Sequence, residues 1–164
     1  MFFEMTPLDA NYLARAPFTF VMDRELGVPR AEAFRLLSDP DVWPRWFPDM
    51  KRMRWISPEG ERGKVGAIRR ADTGSGDVIE HFVAWDENVR LAFYAARMST
   101  PLVSEFFEDY VLSDMPGKEG RCMLRWTVGY RPRTLIRPFH PLIRPRFRKM
   151  FEDGADAFAR YCQS

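Results

Sequence analysis

The stretch PRFRKMFEDGADAFARYC, Pro145 to Cys162, carries Phe147, Met150, Phe151, Gly154, Ala155, Phe158 and Tyr161 at intervals of one to four residues. That spacing gathers side chains on one helical face. Arg148, Lys149, Glu152, Asp153, Asp156 and Arg160 fall mainly on the other side. The pattern predicts a long amphipathic helix opened by Pro145, since a first-turn residue needs no amide hydrogen bond. Gly154 in its interior costs about 1 kcal/mol against alanine, which points to a close approach to the backbone by a strand residue or a ligand.

Upstream of the helix the chain reads mostly as strand. Met1 to Ala16 has no clear period and reads as an arm or short helix laid over the body. Phe18 to Leu26 places Phe18, Phe20, Met22 and Leu26 on one face of a first strand, ended by Gly27-Val28-Pro29. Arg30 to Leu37 reads as a short helix, and a second helical turn carries Val42, Trp43, Trp46 and Phe47, which plug against the sheet. Six strand segments follow: Met50 to Ile56, Val65 to Ala71, Val78 to Trp85, Leu91 to Met98, Val103 to Leu112 and Cys122 to Arg131. Short turns between consecutive strands make an antiparallel meander. The expectation is an α+β domain over residues 17–164 with an N-terminal arm over residues 1–16.

Composition narrows the function classes. With 164 residues, 46% hydrophobic and 15% aromatic, the chain suits one domain with a sizeable core. It has no run of eighteen apolar residues, no secretory signal pattern, and only Cys122 and Cys162, so the expectation is a cytoplasmic protein without a disulfide framework or zinc site. The glycine pairs at Gly63-Lys64-Val65-Gly66 and Gly74-Ser75-Gly76 lack phosphate-loop spacing and read as hairpin tips. Asp39, Asp41 and Asp49 suit caps and turns. No cofactor and no metal are expected.

The run from Glu25 to Phe34 (ELGVPRAEAF) into Trp43-Pro44-Arg45-Trp46, with EDYVL at Glu108 to Leu112 leading to RCMLRW at Arg121 to Trp126, resembles the START-like (SRPBCC, helix-grip) superfamily. Within it, the chain is similar to the polyketide cyclase/dehydrase and lipid-transport group. The resemblance implies a curved seven-stranded antiparallel sheet gripping the C-terminal helix, two short helices between strands 1 and 2, and a cavity for an apolar ligand. The superfamily's roles span polyketide cyclisation, lipid, quinone and hormone binding, and chaperone assistance, and fold alone does not choose among them.

Strand alternation nominates the polar groups facing such a cavity. With Trp85 opposite Leu91, His81 and Val83 share a face with Phe93 and Ala95, extended by Arg97. With Leu112 opposite Cys122, Phe106, Glu108 and Tyr110 share a face with Leu124, Trp126, Val128 and Tyr130. The candidate ligand-binding set is Arg24, Phe93, Arg97, Phe106, Tyr110 and Trp126. His81 and Glu108 are the candidate proton carriers, with Tyr110 a donor to a developing oxyanion. The structural alternatives are a core histidine at 81, an ion pair from Glu108 to Arg97 or Arg24, and aromatic residues that serve as core.

From Arg131 to Lys149 there are seven basic residues and no acidic one. Arg137, Arg144, Arg146 and Arg148 are candidates for docking on an anionic membrane or an acidic partner, beside Leu135, Ile136, Phe139, Leu142 and Ile143. The alternative is a solvated connector. A basic run with one phenylalanine and no recognised module gives little support for nucleic acid. The leading expectation is binding of a hydrophobic small molecule of lipid, polyketide or quinone-like chemistry. The alternatives are a cofactor-independent cyclase or dehydratase using His81 and Glu108, and a protein-interaction module docking through residues 131–149.

Overall fold

In a computed structural model, which describes residues 1–163, seven strands and two α-helices follow the expected order, and one further strand lies in the N-terminal arm. They are β1 (Phe3–Glu4), β2 (Phe18–Leu26), α1 (Arg30–Ser38), β3 (Met50–Trp55), β4 (Ile68–Thr73), β5 (Asp77–Asp86), β6 (Arg90–Met98), β7 (Val103–Asp114), β8 (Cys122–Pro132) and α2 (His140–Tyr161). A 3-10 turn over Trp43–Arg45 supplies the second short helix. The main path of the sheet is β2-β8-β7-β6-β5-β4-β3, antiparallel throughout, with β1 added beside β6. No described helix is long and apolar enough to cross a membrane.

The arm is part of the sheet rather than a cover alone. Strands β6 and β7 pair from Arg90↔Val111 to Tyr94↔Phe107 and then separate. Into that split goes β1, pairing with Met98 and Arg97, while the Met5 and Thr6 amides donate to the Ala96 and Ser104 carbonyls. The arm then crosses the outer face, where Leu8 and Tyr12 pack with Ala84, Ala92 and Phe107 as a second small core. Gly129 makes room for it: a Cβ there would come within 2.7 Å of Leu13 Cδ2.

Helix α2 begins five residues earlier than Pro145. Pro141 occupies its first turn, where the missing amide is harmless, and Pro145 lies inside the helix. An interior proline normally removes one hydrogen bond and costs about 3 kcal/mol. Here Pro141 and Pro145 are both exposed, so both proline rings sit on the solvent side of the helix. His140 anchors this start through its Nε2, 2.7 Å from the Tyr130 hydroxyl.

The buried face of α2 presents Phe151, Gly154, Ala155 and Phe158 to the sheet. Gly154 is where strand, short helix and long helix meet. A Cβ there would lie 3.0 Å from Phe47 Cε2 and 3.4 Å from Trp126 Cη2. The close approach anticipated at Gly154 therefore comes from two aromatic rings, one on β8 and one just after the 3-10 turn. Gly154→Leu is expected to cost about 2 kcal/mol or more through overpacking, read as a lowered midpoint in urea unfolding, whereas an unchanged midpoint would show slack at this contact.

Candidate functional site

Between the inner face of the sheet and α2 lies a cavity of about 170 Å³. Its wall is mostly apolar: Met53 and Ala71 from β3 and β4, Phe93 from β6, Phe106 from β7, and Phe147, Met150 and Phe151 from α2. Thr73 at the end of β4, Ser75 and Gly76 of the β4–β5 turn, and Thr100 and Leu102 of the β6–β7 turn form one end. Following β7 away from that end leads from Val103 past Phe106 to Glu108 and Tyr110. Glu80 and Trp43 also reach the wall.

Glu108 is 8% exposed. The Tyr110 hydroxyl donates to its Oε2, and Trp126 Nε1 donates to the same atom over 2.9 Å. Sheet register explains the convergence. Tyr110 pairs with Trp126, Glu108 with Val128 and Phe93 with Glu108, so these inward side chains form adjacent rows. Burial pushes the Glu108 carboxyl up to about 8, aided by the negative Glu80 nearby and opposed by Tyr110, Trp126 and Arg69. Burial and the neighbouring Glu108 likewise raise the Tyr110 phenol far above its ordinary value. At neutral pH the carboxyl is mostly protonated. With two donors on Oε2, its proton belongs on Oε1, making Glu108 a neutral hydrogen-bond donor in an apolar wall.

A buried ion pair stands beside it. Arg69 on β4 and Glu80 on β5 pair across the strands and meet at 2.7 Å, 1% and 6% exposed. Arg69 also donates to the Leu37 carbonyl, and its guanidinium lies 5.0 to 5.5 Å from the ring centres of Trp43, Phe82 and Phe93. Burial raises the Glu80 pKa against the pull of Arg69. The structure thus surrounds one cation with apolar rings and places two carboxyls near it.

The structure places the nominated residues unevenly. Phe93, Phe106, Glu108 and Tyr110 reach the cavity, and Trp126 supports Glu108 from behind. His81 does not reach it. A bulge leaves Val83 unpaired between Phe82↔Phe93 and Ala84↔Ala92, so His81 pairs with Tyr94 on the outer face and Glu80 takes the inward place. Its Nδ1 lies 3.4 Å from the Tyr94 hydroxyl. A second bulge at Ala96 turns Arg97 outward, where it faces Glu4 at 3.9 Å and the Phe2 ring. Arg24 keeps to the helix side of β2 but pairs with Asp156 of α2 at 2.6 Å, outside the cavity wall. Neither arginine is the partner of Glu108.

Register on β7 and β8 also differs, by two residues: Leu112 pairs with Leu124, and Asp114 with Cys122. An even displacement preserves the face, which is why Glu108 and Tyr110 still point inward. Arg69 and Glu80 went unnoticed in the sequence because their inward placement depends on where the bulges fall. The one signal was a charged residue at alternate spacing with an apolar one on each strand, Arg69 with Ala71 and Glu80 with Phe82.

Raising the folded-state pKa of Glu108 from 4.5 to about 8 has a definite sign. The folded chain binds this proton more tightly, so the stability it contributes is present below about pH 4.5 and is lost as pH rises through about 8. The lowered values of His81 and His140 act in the opposite sense near their own pKa, so the informative reading is a difference between two proteins. Glu108→Gln is expected to gain stability on the wild type by up to about 1.4 kcal/mol per pH unit within that window. Parallel stability curves from pH 5 to 8.5 would contradict a neutral Glu108.

Comparison with known proteins places this geometry in a family. The sequence pattern of "Polyketide cyclase / dehydrase and lipid transport" matches residues 17–163, the whole domain beyond the arm. Uncharacterized proteins of Mycobacterium tuberculosis and Mycobacterium bovis are each 30% identical over 148 residues, covering 87% of this chain and 86% of theirs. Among solved structures, the Zhui aromatase/cyclase of a Streptomyces species superposes with a TM-score of 0.74 at 10% identity, over 89% of this chain and 93% of that one. A START superfamily protein of Mycobacterium smegmatis does so with a TM-score of 0.60 at 11% identity, over 84% and 97%. At such identities these two likenesses speak for the fold alone. The chain belongs to the polyketide cyclase/dehydrase and lipid transport family, with START-like structural neighbours.

Proposed function

We propose that this protein binds a hydrophobic small molecule in the cavity between sheet and α2, and that the ligand carries a neutral hydrogen-bond acceptor, such as a ketone, quinone or ester carbonyl, directed at Glu108. The observation that carries this reading is the Glu108 carboxyl, buried in a mostly apolar wall with Tyr110 and Trp126 both donating to its Oε2. An apolar body is favoured by removing its surface from water, at roughly 25 cal/mol per Å². A single well-placed donor then fixes orientation, because a ligand lacking an acceptor leaves that donor unsatisfied. A ligand carboxylate is disfavoured twice, by its own desolvation and by the nearby Glu80.

The cyclase or dehydratase reading draws on the same carboxyl. A Glu108 proton held near neutral pKa beside the Tyr110 hydroxyl suits donation to a ligand oxygen during enolisation or loss of water. His81 lies on the opposite face, so a proton cycle in the cavity would draw on Glu108, with Tyr110 and Glu80 the other ionisable groups in the wall. The aromatase/cyclase activity named for the Streptomyces structure supports this second reading only through shared fold.

A matched set of naphthalene probes tests the binding reading. By fluorescence titration at pH 6.5, 2-acetylnaphthalene is expected to bind about tenfold tighter than naphthalene, which lacks the acceptor, and than 2-naphthoate, which accepts the bond but must shed the hydration of its charge. Glu108→Ala should shrink that preference while naphthalene itself binds as before, and Ala71→Phe should weaken all three by filling the cavity. Equal affinity for ketone and carboxylate in the wild type would contradict the proposal.

A further inference from the structure

Four of the large hydrophobic side chains left exposed on the described surface gather around the start of α2: Leu102 at 38%, Leu135 at 86%, Phe139 at 58% and Leu142 at 78%. Leu135 precedes, and Phe139 ends, a 3-10 turn over Arg137–Phe139 that runs directly into α2. Leu142, Arg146 and Met150 follow at intervals of four, which stacks them along one side of the helix. Met150 at the end of that stripe is already cavity wall. A small apolar crevice lined by Leu102, Val103, Ile136, Ile143 and Phe147 shares Leu102, Val103 and Phe147 with the cavity. The exposed apolar tip therefore adjoins the cavity, with Leu102, Val103 and Phe147 forming the shared wall.

Charge around this tip is one-sided. Arg131 is paired with Glu105, Arg148 with Glu152 and Lys149 with Asp153. Arg137, Arg144 and Arg146 are exposed and form no ion pair among the described residues, and Arg144 lies over the Phe18 ring. The first turn of α2 carries no acidic residue, so these cations sit near the positive end of the helix dipole without compensation. An external anion relieves that arrangement. Exposed leucines between unpaired guanidiniums match the layering of a bilayer surface, with acyl chains beneath phosphates. A nucleic acid or an acidic protein surface would satisfy the arginines but leave Leu135 and Leu142 in water.

We propose that the turn before α2 and its first two turns dock on an anionic lipid bilayer, with Leu135, Phe139 and Leu142 entering the interface and Arg137, Arg144 and Arg146 meeting lipid phosphates. Docking this way sets the crevice against the membrane, so that an apolar ligand passes between bilayer and cavity without crossing water. That last step rests on the ligand-binding function proposed above, whereas docking itself does not.

Co-sedimentation of the full chain with vesicles tests the docking alone. Vesicles of phosphatidylcholine with about one third phosphatidylglycerol are expected to retain the protein, pure phosphatidylcholine vesicles far less, and about 0.5 M salt should weaken the retention. Arg137→Gln with Arg146→Gln is expected to lower the partition coefficient roughly 30-fold, and Leu135→Ser with Leu142→Ser about tenfold or more. All four side chains are exposed, so both variants should unfold at the wild-type temperature. Equal retention of the wild type on neutral and anionic vesicles, or none on either, overturns the proposal without using a variant. Loss in the arginine variant with none in the leucine variant also overturns it, since that pattern describes a purely electrostatic partner. Because no cavity ligand enters these measurements, the cavity reading stands or falls separately.

Discussion

Everything at the centre of this molecule turns on keeping a carboxyl, Glu108, inside an apolar wall. Ionised and alone, such a group would cost far more than any nearby contact returns. The chain meets the constraint by charge balance. Arg69 is neutralised by Glu80 at 2.7 Å, and Glu108 keeps its proton because burial and Glu80 together outweigh Arg69 and the two donors on Oε2. Three ionisable groups thus amount to a nearly neutral cluster, a weakly polar spot in a cavity otherwise made of methionine, phenylalanine and small residues.

The long helix contributes to that balance from a distance. Gly154 lets the Trp126 ring approach the α2 backbone, with Cη2 at 3.4 Å from where a Cβ would stand. The opposite side of the same indole donates to Glu108. Phe47 closes on the same glycine from the short-helix side and also lines the cavity. A backbone choice on the helix, an aromatic position on β8 and the protonation of a β7 carboxyl are thereby mechanically joined. The two glutamates and the arginine come from β7, β5 and β4, three strands of the sheet, so the polar end depends on sheet register throughout.

That dependence explains what could be read from the amino-acid order. Element order and the helix face were legible because Phe18, Phe20, Met22 and Leu26 fall on one strand face, with Val21 the exception, and Phe151, Gly154, Ala155 and Phe158 recur at helical spacing. Glu108 and Tyr110 were legible because the β7–β8 hairpin slips by an even number of residues, which leaves every side chain on its face. His81 and Arg97 were misplaced because one extra residue at Val83 and another at Ala96 invert the alternation beyond them. Nothing local to those residues marks a bulge. The early start of α2 was hidden by Pro145, whose cost is borne at an exposed position, and the strand formed by Phe3 and Glu4 was hidden because only the divergence of β6 from β7 creates a place for it.

The protonation of Glu108 is accessible to direct observation. Carbon-13 NMR of the glutamate side-chain carboxyls, with Glu108 assigned through its Gln variant, would follow this one group from pH 5 to 9. The account predicts that the Glu108 carboxyl is still protonated at pH 7, titrates near 8, and has a resonance that moves when a carbonyl-bearing ligand fills the cavity. A Glu108 signal already ionised at pH 6 would contradict the neutral donor on which the binding site is built.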